Sequence, residues 1–235
     1  MKKCTIIDII VIITIFVKGE KMKDIHLARK KILFEDSPVV FSYKPDENWR
    51  DYIDPKNGNW SYEDGAIIGF NPGNYGGIAF VNKYFDKDVM LIFKGSTVLP
   101  ATRDLNAVWA AHWDEETDYL GDSYVCGLNG WWEYKSGIER NVPNAKGNTL
   151  YSTTSAYRYE PGKEITMVCG SVNGHCFMTV DELLVSELID PDPISGGYVG
   201  FSAYCTKLRI TEIEVREIRW ETFEQAYDPE FEISE

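Results

Sequence analysis

The sequence predicts an all-β protein, a two-sheet antiparallel β-sandwich. Three observations predict it. Apolar and aromatic runs of about four to ten residues alternate with Gly, Pro, Asn and Asp turn clusters, the all-β pattern. No internal repeat or low-complexity linker interrupts that rhythm across the 235 residues, a length that fits one sandwich. Aromatic residues make up 14% of the chain, with 7 Trp and 14 Tyr, enough large rings to fill a two-layer core and leave some for recognition.

The elements follow in order. Lys31–Phe34 and Val39–Tyr43 are the first strand candidates, and Asp54–Asn59 is a turn cluster. Trp60–Tyr62 and Ala66–Phe70 flank the turn at Glu63-Asp64-Gly65, and Trp60 reads as core. After the loop 71–77 come Ile78–Asn82 and the long strand Val89–Leu99. That loop has three Gly but no P-loop lysine, so it has no phosphate role. Arg103–His112 is a strand, and Asp114–Asp122 is a polar loop. Ser123–Leu128 and Trp131–Lys135 flank Asn129-Gly130, a tight-hairpin signal. Ser136–Asn148 reads as a long polar loop, the kind of segment that carries binding residues on a rigid sandwich.

The C-terminal third is the clearest. Glu164–Cys169 and His175–Val180 flank a turn at Asn173-Gly174, followed by Leu183–Ile189, Tyr198–Tyr204 and Lys207–Ile218. In the last of these, Leu208 and Ile210 lie on one phase, and Ile213 and Val215 on the other. One extra residue near Thr211-Glu212, a β-bulge, would reconcile them. The segments Tyr159–Val168, Val172–His175, Phe177–Asp181 and Gly197–Phe201 resemble the end of a concanavalin A-like lectin/glucanase jelly roll, which implies that fold. That family commonly has Asp-Gly where this chain has Asp181-Glu182, so a wider turn is expected there. Similar folds include the 3-keto-disaccharide hydrolase-like domains. Asp104–Trp109, Trp131–Tyr134 and Arg140 resemble the YesU-like family of uncharacterised bacterial proteins, whose setting implies pectin-derived sugars.

A retaining glucanase of this fold would carry a Glu-x-Asp-x-x-Glu strand, and none is present. Glu212-x-Glu214 and Asp114-Glu115-Glu116 are the nearest matches, and they read as a solvated face and a polar loop. Strand alternation instead places Asp104, Asn106, Val108, Ala110 and His112 on one face. An acid, an amide and an imidazole spaced by small residues suit a sugar-binding groove, although a merely hydrated face would look the same. Asp104 and His112 are catalytic candidates, His112 as a general acid or base near neutral pH. Glu133 beside Trp131 is a third, as a general acid or else a surface acid. Substrate-binding candidates are Asn106, Trp109, Trp131, Tyr134 and Arg140. Arg140 would hold an acidic sugar's carboxylate or form a surface ion pair.

The formal charge of −13 and the lack of a basic cluster after Lys31 exclude nucleic acid as a partner. Residues 1–21 have a lysine-flanked apolar run, Ile6–Val17, too short to span a bilayer, so no membrane partner is expected. Lys18–Met22 can be encoded as a ribosome-binding site followed by a start codon. The expected organisation is therefore a leader (1–21), one cytoplasmic sandwich domain (22–220) and an acidic tail (221–235). The alternative is secretion on a signal peptide. The four Cys after Met22 have neither disulfide-scaffold nor zinc spacing. No cofactor is expected beyond a structural calcium compatible with lectin-like sandwiches, for which no Asp-x-Asp-x-Asp-Gly loop is present. The function expected is cleavage of a plant-polysaccharide oligosaccharide, by hydrolysis or elimination. Non-catalytic lectin-like binding is the alternative. The sequence sets neither the sugar nor the oligomeric state.

Overall fold

The computed structural model describes residues 22–73, 76–143 and 150–222. The expected leader, 1–21, and the tail beyond 222 lie outside the described residues. The early strands are β1 (Ile25–His26), β2 (Lys30–Ile32), β3 (Val39–Tyr43), β4 (Ile53–Pro55), β5 (Asn59–Glu63), β6 (Ala66–Asn71) and β7 (Gly77–Val81). The middle of the chain forms β8 (Val89–Thr97), β9 (Leu105–Ala111), β10 (Trp113–Asp114), β11 (Tyr119–Leu120), β12 (Ser123–Trp131), β13 (Lys135–Asn141) and β14 (Tyr151–Thr154). The last are β15 (Ile165–Val172), β16 (His175–Val180), β17 (Leu183–Ile189), β18 (Tyr198–Ala203), β19 (Thr206–Glu217) and β20 (Trp220–Thr222).

Two antiparallel sheets face each other. One has seven strands in the order β14-β13-β12-β9-β18-β7-β4. The other has eight, β17-β16-β15-β8-β19-β6-β5 with β3 added against β19. The inner faces follow the period of two. Leu105, Ala107 and Trp109 of β9 and Tyr124, Cys126 and Leu128 of β12 meet Leu91 and Phe93 of β8 and Met167 and Cys169 of β15. Each large side chain buried here contributes about 1.5–3 kcal/mol by area. The small sheet β1-β2-β20 covers part of the eight-stranded sheet's outer face, packing Ile25, Ile32 and Phe34 onto Met90, Ile92 and Phe177. Trp220–Thr222 pairs with β2, so residues 221 and 222 of the expected tail belong to a strand.

The bulge expected in the closing strand is present. The register of β19 against β8 shifts between Ile210 and Glu212, and Leu208, Ile210, Ile213 and Val215 all reach the core. Trp60 is core, as expected.

Three expectations are corrected. Asn129-Gly130 is no hairpin turn: β12 runs on to Trp131, and the chain reverses at Trp132–Tyr134, with Glu133 and Tyr134 at φ 57° and 58°. Ser136–Asn148 is no continuous loop, because Lys135–Asn141 is strand β13, paired on both sides. The Asp181-Glu182 turn is not widened. Val180 pairs directly with Leu183 across two left-handed residues, φ 47° and 67°.

Candidate functional site

The outer face of the seven-stranded sheet carries the site. Across its strands one register row reads Gly137, Gly127, Asn106, Ser202 and Ile78. Glycines on two adjacent strands lower the surface, and Asn106 leans over the first of them. A Cβ on Gly127 would lie 1.8 Å from Asn106 Oδ1. The neighbouring row holds Glu139, Val125 and Val108. The β10–β11 hairpin lays Leu120 against Ile78, Phe80 and Val108 to form one wall. Trp131 and Tyr204 stand elsewhere on the lining. The result is a groove of about 320 Å³.

Asp104 opens β9 in the left-handed region, φ 61°, with its N–H donating to Leu128 O. Its carboxylate accepts from Arg103 Nε at 2.7 Å and lies near Asn106 Nδ2 at 3.5 Å. A Cβ at Gly130 would lie 2.7 Å from Asp104 Oδ1, so a side chain there would have to displace the carboxylate. Burial raises Asp104 to about 6, against the lowering effect of Arg103. Burial also raises Glu139, opposed by a hydrogen bond from Trp131. Asn106 Oδ1 is buried and has no hydrogen-bond partner among the described residues. Turning the amide over would set this oxygen against the Asp104 carboxylate, so the observed orientation is the favourable one.

The groove thus brings together three of the residues expected from sequence: Asp104, Asn106 and Trp131. It does not bring His112 or Glu133 to them. Ala110, at φ 44°, is a bulge: Ala111 pairs with Tyr198 while Val108 pairs with Gly200. The extra residue puts Ala111 on the outer face beside Val108 and carries His112 off the expected phase. His112 ends at the base of the β10–β11 hairpin, its N–H donating to Asp122 O. Glu133 is exposed on the reversal and pairs with Lys135 at 3.4 Å. Tyr134 beside it is also exposed.

Trp109 is sealed between the sheets, its Nε1 donating to Ser171 Oγ. Arg140 faces inward on β13 rather than standing in a loop. Its Nε lies 2.7 Å from the fully buried Asp190 carboxylate, and its Nη2 donates to Asp192 O. Glu139 went unnoticed in the sequence because β13 was read as loop. The alternation of Ser136, Ile138 and Arg140 inward with Gly137 and Glu139 outward was its signal.

A larger depression, about 870 Å³, lies on the eight-stranded sheet's outer face. Its cations are spent on Glu212 and Glu214, and no orphaned buried side-chain atom among the described residues lies there. Among the described residues, no three His, Cys, Asp or Glu side chains converge on a metal position, so no chemistry is assigned to calcium.

No family model matches the chain, and no curated protein matches it. Solved structures do. A Bacillus subtilis protein of unknown function with a galectin-like fold is similar at TM-score 0.60 and 9% identity, covering 78% of this chain and 98% of its own. The carbohydrate-binding module CBM66 from Bacillus subtilis is similar at TM-score 0.55 and 12% identity, over 70% and 94% of the two chains. A legume lectin-like domain from Entamoeba histolytica is similar at TM-score 0.54 and 14% identity, over 77% and 98%. The chain folds as a concanavalin A-like jelly roll.

Within this jelly roll the raised Asp104 has a consequence for stability. The fold favours its neutral form, so its contribution is full below about 3.8, the unfolded value, and is lost as pH rises through about 6. Asp104→Asn removes that titration. In urea unfolding, the stability of the variant relative to wild type is expected to rise by about 2 kcal/mol between pH 4 and pH 7.5. An unchanged difference would mean that the carboxyl is not held neutral.

Proposed function

We propose that this chain is a carbohydrate-active jelly roll that holds a small oligosaccharide in the groove of its seven-stranded sheet. The observation that carries the reading is Asn106, a groove-lining residue whose buried Oδ1 has no hydrogen-bond partner among the described residues. Leaving such an acceptor unsatisfied costs about 1–3 kcal/mol, a cost that a sugar hydroxyl would remove once the Asn106 side chain turns its oxygen toward the groove. Trp131 offers an aromatic face to the C–H side of a ring. A volume of about 320 Å³ is at the small end of ligand pockets, which suits one or two sugar units. The carbohydrate-binding module and the lectin-like domain among the similar structures support the reading.

A second reading, cleavage of the bound glycan, is favoured by the two groove carboxyls with raised pKa, Asp104 and Glu139. A carboxyl held near 6 can donate a proton to a leaving group at neutral pH. In this reading Glu139 and Asp104 take the acid–base roles, and His112 and Glu133, which stand apart from the groove, do not.

The test is a panel of small glycans assayed by calorimetry and by product analysis. Binding of at least one glycan is expected. If that glycan is cleaved, Asp104→Asn and Glu139→Gln should each slow release by roughly a hundred- to ten-thousand-fold with little change in affinity for a neutral glycan. Binding without turnover would make the chain a lectin-like binder. No binding across the panel would refute the proposal.

A further inference from the structure

We propose that the groove selects its sugar by charge, accepting neutral and amino sugars and rejecting uronates. The inference rests on the saccharide-binding reading above and names its substrate class. None of the described residues lining the groove is Lys, Arg or His. Its carboxyl groups are those of Asp104 and Glu139, set among the hydroxyls of Tyr119, Ser202 and Tyr204 and the amides of Asn106 and Asn141.

Among the described residues, Arg103 and Lys135 stand near this lining, and each already has partners. Arg103 spends its Nε on Asp104 and its Nη2 on Gly130 O, each at 2.7 Å. Lys135 lies 3.4 Å from Glu133 and 5.3 Å from the centre of the Trp132 ring. Arg140, the residue that could have received a sugar carboxylate, is turned into the sandwich and paired with Asp190.

Glu139 is therefore the uncompensated charge. On β13 it points outward opposite Val125 on one side and Tyr151 on the other. Its partner among the described residues is the neutral Trp131 N–H. A uronate entering here would bring a third carboxylate beside two, desolvated and without a cation to meet it. Hydroxyls donate to the two carboxyls at no such cost, and an ammonium group, which only donates, matches them best.

The experiment uses matched dimers differing only in charge. These are β-1,4-linked glucose, glucosamine and glucuronate, and α-1,4-linked galactose and galacturonate, titrated calorimetrically at pH 7.5. The neutral or amino member of each set is expected to bind at least ten-fold tighter than its uronate. Glu139→Gln should narrow that gap to about three-fold by strengthening uronate binding. In wild type, added salt should strengthen uronate binding and leave neutral dimers unchanged, a readout that does not depend on the variant folding. Uronates binding as well as neutral dimers would overturn this inference and leave saccharide binding standing. So would a gap indifferent to both Glu139→Gln and salt. Failure of every dimer and of the wider glycan panel would remove the saccharide-binding reading, and this inference with it.

Discussion

Asp190→Ala is expected to destabilise the protein by about 3–5 kcal/mol, the largest single effect in the molecule outside its apolar core. Asp190 is fully buried and gathers three groups. Arg140 Nε lies at 2.7 Å, Tyr124 OH donates at 2.7 Å, and Asp192 N–H donates to its other oxygen at 2.9 Å. Ile194 N–H in turn donates to the Tyr124 oxygen. The cluster ties the segment linking β17, in one sheet, to β18, in the other, onto β12 and β13. Removing the carboxylate leaves a guanidinium with little access to water. Asp192, whose side chain is 93% exposed, also contacts Arg140, at 3.3 Å. Its replacement by Ala should cost less than about 1 kcal/mol. The pair Arg140→Met with Asp190→Leu should cost less than Asp190→Ala alone, because it strands no charge. Denaturant midpoints for the three variants check the ordering. Equal effects for Asp190→Ala and Asp192→Ala would show that the buried pair is not the anchor.

The largest effect on binding is expected from Trp131→Ala, a loss of about thirty-fold in affinity for whichever glycan binds. Trp131 lines the groove and holds the Glu139 carboxyl by its indole N–H, so the substitution removes a stacking face and frees a carboxylate. Its neighbour Trp132 begins the reversal and is absent from the groove lining, half exposed and edge-on to Tyr151 at 5.6 Å. Trp132→Ala should change affinity less than three-fold. Neither ring is core, because the reversal at Trp132–Tyr134 lifts both off the inner face. Calorimetry on the two variants separates the roles, and a reversed ranking would place the sugar on the exposed edge of the sheet.

The fold was legible because its signals are local. Period-two alternation marks most long strands, and Asp64-Gly65 and Asn173-Gly174 mark two of the hairpins. The β19 bulge shows itself because the apolar residues on either side of it fall on opposite phases. The site was half legible for the same reason. Alternation along β9 finds Asp104 and Asn106, and composition finds Trp131. The two failures share a cause. A bulge at Ala110, a residue type with no turn preference, shifts His112 off phase without leaving a trace in the apolar pattern. Strand β13 carries inward Ser136 and Arg140 and outward Gly137 and Glu139, so a polar reading hides it. Arg140 is buried only because Asp190, fifty residues later, neutralises it, and no local pattern encodes that pairing.

The central claim is that Asn106 and its row of small residues form a saccharide site, and amide shift mapping tests it most directly. Isotopically labelled protein titrated with the tightest-binding glycan of the panel should show saturable shifts concentrated at Asn106, Gly127, Gly130, Gly137, Ser202 and the Trp131 indole N–H. Amides on the outer face of the eight-stranded sheet, such as Lys94, Thr166 and Glu212, should stay unchanged. Saturable shifts confined to that second face, with the Asn106 side-chain amide unmoved, would contradict the account.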